Sequence, residues 1–100
     1  MKQRRRYPVQ LVVNDRQITE VVIDPHYEAK HTESVNDEIV LALVQKLDGG
    51  IFDPDDVDDE YQYYKTEPIE YASKNYRLIW LLKNDTMYIE VINAFRRSMK

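Results

Sequence analysis

The chain has 100 residues, 43% of them apolar, and a formal net charge of −4. That is the length of one domain, 1–100, with enough apolar material for a core. The absence of cysteine excludes a disulfide scaffold and thiolate metal ligation. No apolar run approaches the ~20 residues of a membrane span, and the basic start KQRRR is not followed by an apolar signal segment. The chain is therefore read as soluble and cytoplasmic, with no membrane partner.

Residues 7–23 predict a β-hairpin. YPVQLVV and QITEVVI are rich in β-branched residues, and Asn14-Asp15-Arg16 supplies the turn. A three-residue loop places Val9, Leu11 and Val13 on one face with Thr19, Val21 and Ile23. A two-residue loop pairs the first set with Ile18, Glu20 and Val22 instead. The first register gives the cleaner apolar face and is the expected one. Asp24-Pro25 ends the second strand.

Residues 26–31, HYEAKH, carry the only two histidines, with Lys30 beside the second. A short helical turn is expected within 26–32. Residues 34–48 then predict an amphipathic helix, because Ile39, Val40, Leu43, Val44 and Leu47 form one stripe at helical spacing. Ser34 with Asp37 forms a weak capping box, Asp37-Glu38 suit the positive helix start, and Gly49-Gly50 stop it.

Residues 51–60 read as an acidic loop. Its segment 53–60, DPDDVDDE, holds six acids in eight residues; outside it, 14 basic side chains face 12 acidic ones. Counting a twelve-residue calcium loop from Asp56 puts acids at positions 1, 3, 5 and 12. Position 6 is Tyr61, however, where the turn requires glycine. The two histidines lack an evident third ligand and the i, i+4 spacing of a helical pair. No metal or other cofactor is expected.

Three strands follow. Residues 61–71 predict one, broken near Pro68. NYRLIWLLK and TMYIEVINAFR form a hairpin. Pairing Leu82 with Met87 sets Leu78, Trp80 and Leu82 beside Met87, Ile89 and Val91 as the core face. The opposite face carries Arg77, Ile79, Leu81, Tyr88, Glu90, Ile92 and Arg96. On it, Arg77 and Glu90 make the simplest cross-strand ion pair. The fold class is α+β in the order β-β-α-β-β-β, one main helix on a mostly antiparallel sheet.

With no cysteine, no nucleophile elbow and no glycine-rich loop, any chemistry must use His, Lys, Arg, Tyr and carboxylates. Those groups suit metal-free RNA cleavage. The 2′-hydroxyl is the internal nucleophile, a base and an acid move protons, and cations hold the phosphate. Tyrosines give bases a surface to stack on.

The stretch YRLIWLLKNDTMYIEVINAFRR resembles the last two strands of RelE/ParE-like toxins and their BrnT-like relatives. The H-x-x-x-K-H pattern before a helix is similar to the start of BrnT-like domains. This resemblance covers roughly residues 26–97. It implies an RNA-binding or RNA-cleaving toxin neutralised by an antitoxin. Carried over by position, it implies His26 and His31 as proton carriers and Lys30, Arg77 and Arg96 as phosphate contacts. Tyr76, Tyr88 and Arg97 would add binding contacts. Many such toxins are strongly basic and begin with helices, whereas this chain is acidic and begins with a hairpin. A second reading is a non-catalytic module that docks a basic protein partner through the acidic loop 53–60.

Overall fold

The computed structural model describes residues 4–25 and 35–97. Among these described residues, six strands and one helix follow in order: β1 (Arg5–Val13), β2 (Arg16–Ile23), α1 (Asp37–Gln45), β3 (Asp56–Val57), β4 (Tyr61–Tyr71), β5 (Lys74–Lys83) and β6 (Tyr88–Arg97). They form one sheet in the order β1-β2-β6-β5-β4-β3. Only β2 and β6 pair in parallel; every other pair is antiparallel. The α+β expectation holds, and the short β3 inside the acidic segment is an addition to it.

The first hairpin corrects the expected loop. Val13 pairs with Arg16, so the turn has two residues, and Asn14 and Asp15 both have positive φ, 54° and 59°. That is the geometry that matches strand twist in two-residue turns, and asparagine and aspartate tolerate it best after glycine. The cost in apolar alignment is recovered by a bulge. Leu11 faces Ile18, but Tyr7 faces Val21 and Arg5 faces Ile23, because the register shifts between Pro8 and Leu11. Leu11, Val13, Ile18, Val21 and Ile23 are all buried as a result. The two-residue register holds only from Val13 to Leu11; one extra residue on β1 then shifts the pairing, so that Tyr7 meets Val21, and the three-residue register is not used.

The last hairpin is also shifted. Leu82 pairs with Ile89 rather than Met87, and Met87 is 48% exposed. The expected core face otherwise stands: Leu78, Trp80, Leu82, Ile89 and Val91 are buried. A second register shift lies between Ile79 and Trp80 on β5, opposite the β6 stretch from Val91 to Asn93. It has a consequence for the arginines, described below. β4 is not broken at Pro68 as expected but runs through it as one strand, and only its pairing with β5 shifts, between Thr66 and Ile69.

α1 packs its stripe on this face: Val40, Leu43, Val44 and Leu47 join Leu78, Trp80 and Leu82 in one core. Asn36 caps the helix; its side chain accepts from the Ile39 amide at 2.9 Å, and Ser34 of the expected capping box lies outside the described residues. Asp37 instead binds Arg5 and Tyr7 on β1. After the helix, Gly49 takes φ 81°, a left-handed turn suited to glycine. Its amide donates to the Val12 carbonyl at 2.7 Å, which ties the helix end to the edge strand.

Candidate functional site

The sheet has two faces, and the one helix among the described residues covers only the first. Strand alternation sends a second set of side chains to the other face. The cross-strand partners fix its members: Arg6 with Val22, Glu20 with Tyr88, Val22 with Glu90, Glu90 with Leu81, and Leu81 with Tyr63. Val22 and Leu81 are 2% and 6% exposed but stand outside the main core.

A depression of about 400 Å³ lies on this face, lined by Arg4, Asp24, Tyr61, Tyr63, Leu81, Lys83, Tyr88, Glu90 and Ile92. Five strands contribute to it or flank it. Tyr61 and Tyr63 project from β4 with ring centroids 6.0 Å apart. The Lys83 ammonium sits 5.7 Å from the Tyr61 ring centre, a cation–π arrangement. Arg4 Nε approaches a Glu90 carboxylate oxygen at 3.2 Å and Asp24 at 3.7 Å.

Glu90 is 7% exposed. Burial pushes its carboxyl above the usual glutamate range; nearby Arg4 pulls it down, Asp24 pushes it up, and Arg6 pulls it down. The sign of the stability effect follows. A carboxyl with a raised folded pKa favours folding below its unfolded value of about 4.5 and loses that contribution as pH rises through the folded value. Replacing Glu90 with Gln is therefore expected to stabilise the fold at pH 7 by about 1 kcal/mol, with no gain at pH 4. Urea melts at the two pH values measure this; an equal effect at both would contradict it.

At the far end of the same face, Glu67 binds Arg77 through two hydrogen bonds. Arg97 approaches the same carboxylate at 3.3 Å. The arginines hold the Glu67 carboxyl below the usual range, chiefly through the Arg77 hydrogen bond. Arg77 also lies 5.2 Å from the Phe95 ring centre.

The sequence-derived site is thus divided. His26, Lys30 and His31, with the helical turn expected at 26–32, lie outside the described residues. Arg77 pairs with Glu67 rather than Glu90. Arg96 stands opposite Tyr76, whose side chain is in the core, so it belongs to the helix-side register and not beside Arg77. The register shift near Ile79 puts Arg97 there instead. Tyr76 is 2% exposed and presents no ring for stacking. Tyr88 does lie at the depression.

Sequence reasoning missed Arg4, Tyr61, Tyr63, Lys83 and the burial of Glu90. A signal existed for the last: MYIEVI places one acid in an otherwise apolar strand.

The acidic segment is ordered. Asp58 accepts from the Glu60 and Tyr61 amides and from the Tyr63 hydroxyl, and the two amide bonds chiefly lower its pKa. Asp56 and Val57 pair with Tyr63 and Gln62, so the twelve-residue count from Asp56 does not fold as a calcium loop. Among the described residues, no three His, Asp or Glu side chains converge as metal ligands.

Fold and site together define an α+β domain in which, among the described residues, the helix covers one face of the sheet and the other face carries the tyrosines. No protein-family model matches the chain, and no curated protein or solved structure does either. No helix among the described residues is long and apolar enough to cross a membrane.

Proposed function

We propose that the chain is a toxin-type RNA-binding protein that takes single-stranded RNA on the open sheet face and cleaves it without metal. The observation that carries this reading is the grouping of Tyr61, Tyr63 and Tyr88 around one depression, with Arg4 and Lys83 at its edge. Sheet-borne aromatic rings stack on unpaired bases, and neighbouring cations meet the phosphates. The histidines His26 and His31 are the proton carriers of this reading, and an antitoxin is its protein partner.

Binding is tested by fluorescence anisotropy with a labelled single-stranded oligoribonucleotide at low salt and with EDTA. Affinity better than about 100 μM is expected, weakening as salt rises. Tyr88→Ala should weaken it about tenfold through lost stacking. Absence of binding at low salt would sink the reading.

The ordered acidic rim supports a second reading. Residues 53–60 are all exposed, while Asp58 fixes the backbone that presents them. Such a rim suits a basic protein segment. A Lys/Arg-rich peptide that binds where RNA does not would favour this docking function.

A further inference from the structure

We propose that Glu90 is the catalytic base of the open face, taking the proton from an RNA 2′-hydroxyl seated over the tyrosine-lined depression. The inference rests on the RNA reading above and deepens it by naming the reacting group.

Glu90 is the one charged residue among the described residues whose side chain is buried. Its position does not ask for a carboxylate. Its cross-strand neighbours on either side are Leu81 and Val22, both apolar and both buried. A β-branched apolar residue would complete that row and avoid the desolvation cost. The compensation is thin, because Arg4, which approaches it at 3.2 Å, is itself 58% exposed and holds an exposed ion pair weakly. A buried acid kept against stability, in a depression rather than in the core, has the character of a functional group.

The surroundings fit the task. Burial holds the carboxyl above its ordinary range, closer to working pH, where a base is most effective. The groups around it are Arg4 just before β1, Arg6 on β1, Asp24 after β2, Tyr61 and Tyr63 from β4, Lys83 from β5 and Tyr88 on β6. The tyrosines supply stacking surfaces, and Arg4 and Lys83 supply positive charge for the phosphate oxygens.

The step balances without a further reagent. The Glu90 carboxylate accepts the 2′-hydroxyl proton as the 2′-oxygen forms its bond to phosphorus. The bond from phosphorus to the 5′-oxygen breaks, and that oxygen takes a proton from solvent water. The products are a 2′,3′-cyclic phosphate and a 5′-hydroxyl.

The test uses the full chain, a labelled oligoribonucleotide and EDTA. The wild type should yield cyclic-phosphate ends, and a substrate with a single 2′-deoxy position should bind but resist cleavage there. Glu90→Gln, which keeps the side-chain volume, should cut the rate about 100-fold or more while RNA is still bound, and should remove the acid limb of the pH–rate profile. Glu90→Asp should retain part of the rate. Gln at 90 cleaving within about threefold of wild type, with the acid limb unchanged, would overturn the assignment while leaving the RNA reading intact. Binding without cyclic-phosphate product would overturn it too. Failure of the wild type to bind RNA would overturn both.

Discussion

Trp80→Ala is expected to cost about 3–5 kcal/mol, a large share of the stability of a domain this size. Trp80 is fully buried in the middle of the sheet. Tyr64 stacks on it with centroids 4.1 Å apart and planes 10° from parallel, and Phe52 meets it edge-on at 5.5 Å. Truncation removes the ring that both neighbours pack on and leaves a void in a layer bounded by backbone, which cannot collapse to fill it. It also leaves Thr66 Oγ1 without the indole N–H that donates to it at 3.0 Å. Trp80→Phe separates the two contributions. It keeps most of the apolar contact but loses the hydrogen bond, so about half the loss is expected. Urea denaturation followed by circular dichroism reads both, since the only tryptophan is removed. A cost below about 1 kcal/mol for the alanine variant would show that the layer repacks.

Trp80 was legible because strand alternation alone assigns it. Leu78, Trp80 and Leu82 occupy one face of an apolar strand, whatever the strand pairs with. The helix was legible for the same reason, through its stripe and its Gly49 stop. Register was not. Each of the three long antiparallel pairings contains an irregularity, and one extra residue moves every later side chain to the other face. Periodicity read from a uniform strand cannot find that residue. The turn between β4 and β5 was equally silent: Ala72 and Ser73 take φ 53° and 65°, values that no glycine or asparagine announces there. The candidate site suffered most, because it depends on which side chains share a face. The shift near Ile79 exchanged Arg96 for Arg97 beside Arg77, and Glu67 displaced Glu90 as the partner. What survived was the membership of the face near the hairpin loop, where Leu81, Tyr88 and Glu90 precede the irregularity.

The second large effect is expected at Asp37. Its carboxylate accepts from Arg5 Nη2 at 2.7 Å, from Arg5 Nε, and from the Tyr7 hydroxyl at 2.6 Å. These bonds fasten the first turn of α1 to the edge strand β1. They act just where the chain rejoins the described fold after residues 26–34, which include His26, Lys30 and His31. Asp37→Ala removes all three bonds and the favourable charge at the helix start. It leaves a guanidinium and a phenol partly buried without this partner. The cost should be about 2 kcal/mol, discounted for the partial exposure of Arg5 and Asp37. Asp37→Asn keeps one acceptor and should lose about half as much. The clasp also predicts behaviour in alkali. Its hydrogen bond to Asp37 chiefly raises the Tyr7 pKa above 10.0. A group with a raised folded pKa contributes its stability below the unfolded value and loses it as pH rises through the folded one. The wild type should therefore lose part of its advantage over Asp37→Ala as pH rises above about 10. Melting curves of the two proteins at neutral and alkaline pH would show the gap narrowing. A gap that stays constant would mean that Tyr7 takes no part in the clasp and that Arg5 alone holds the helix to the sheet.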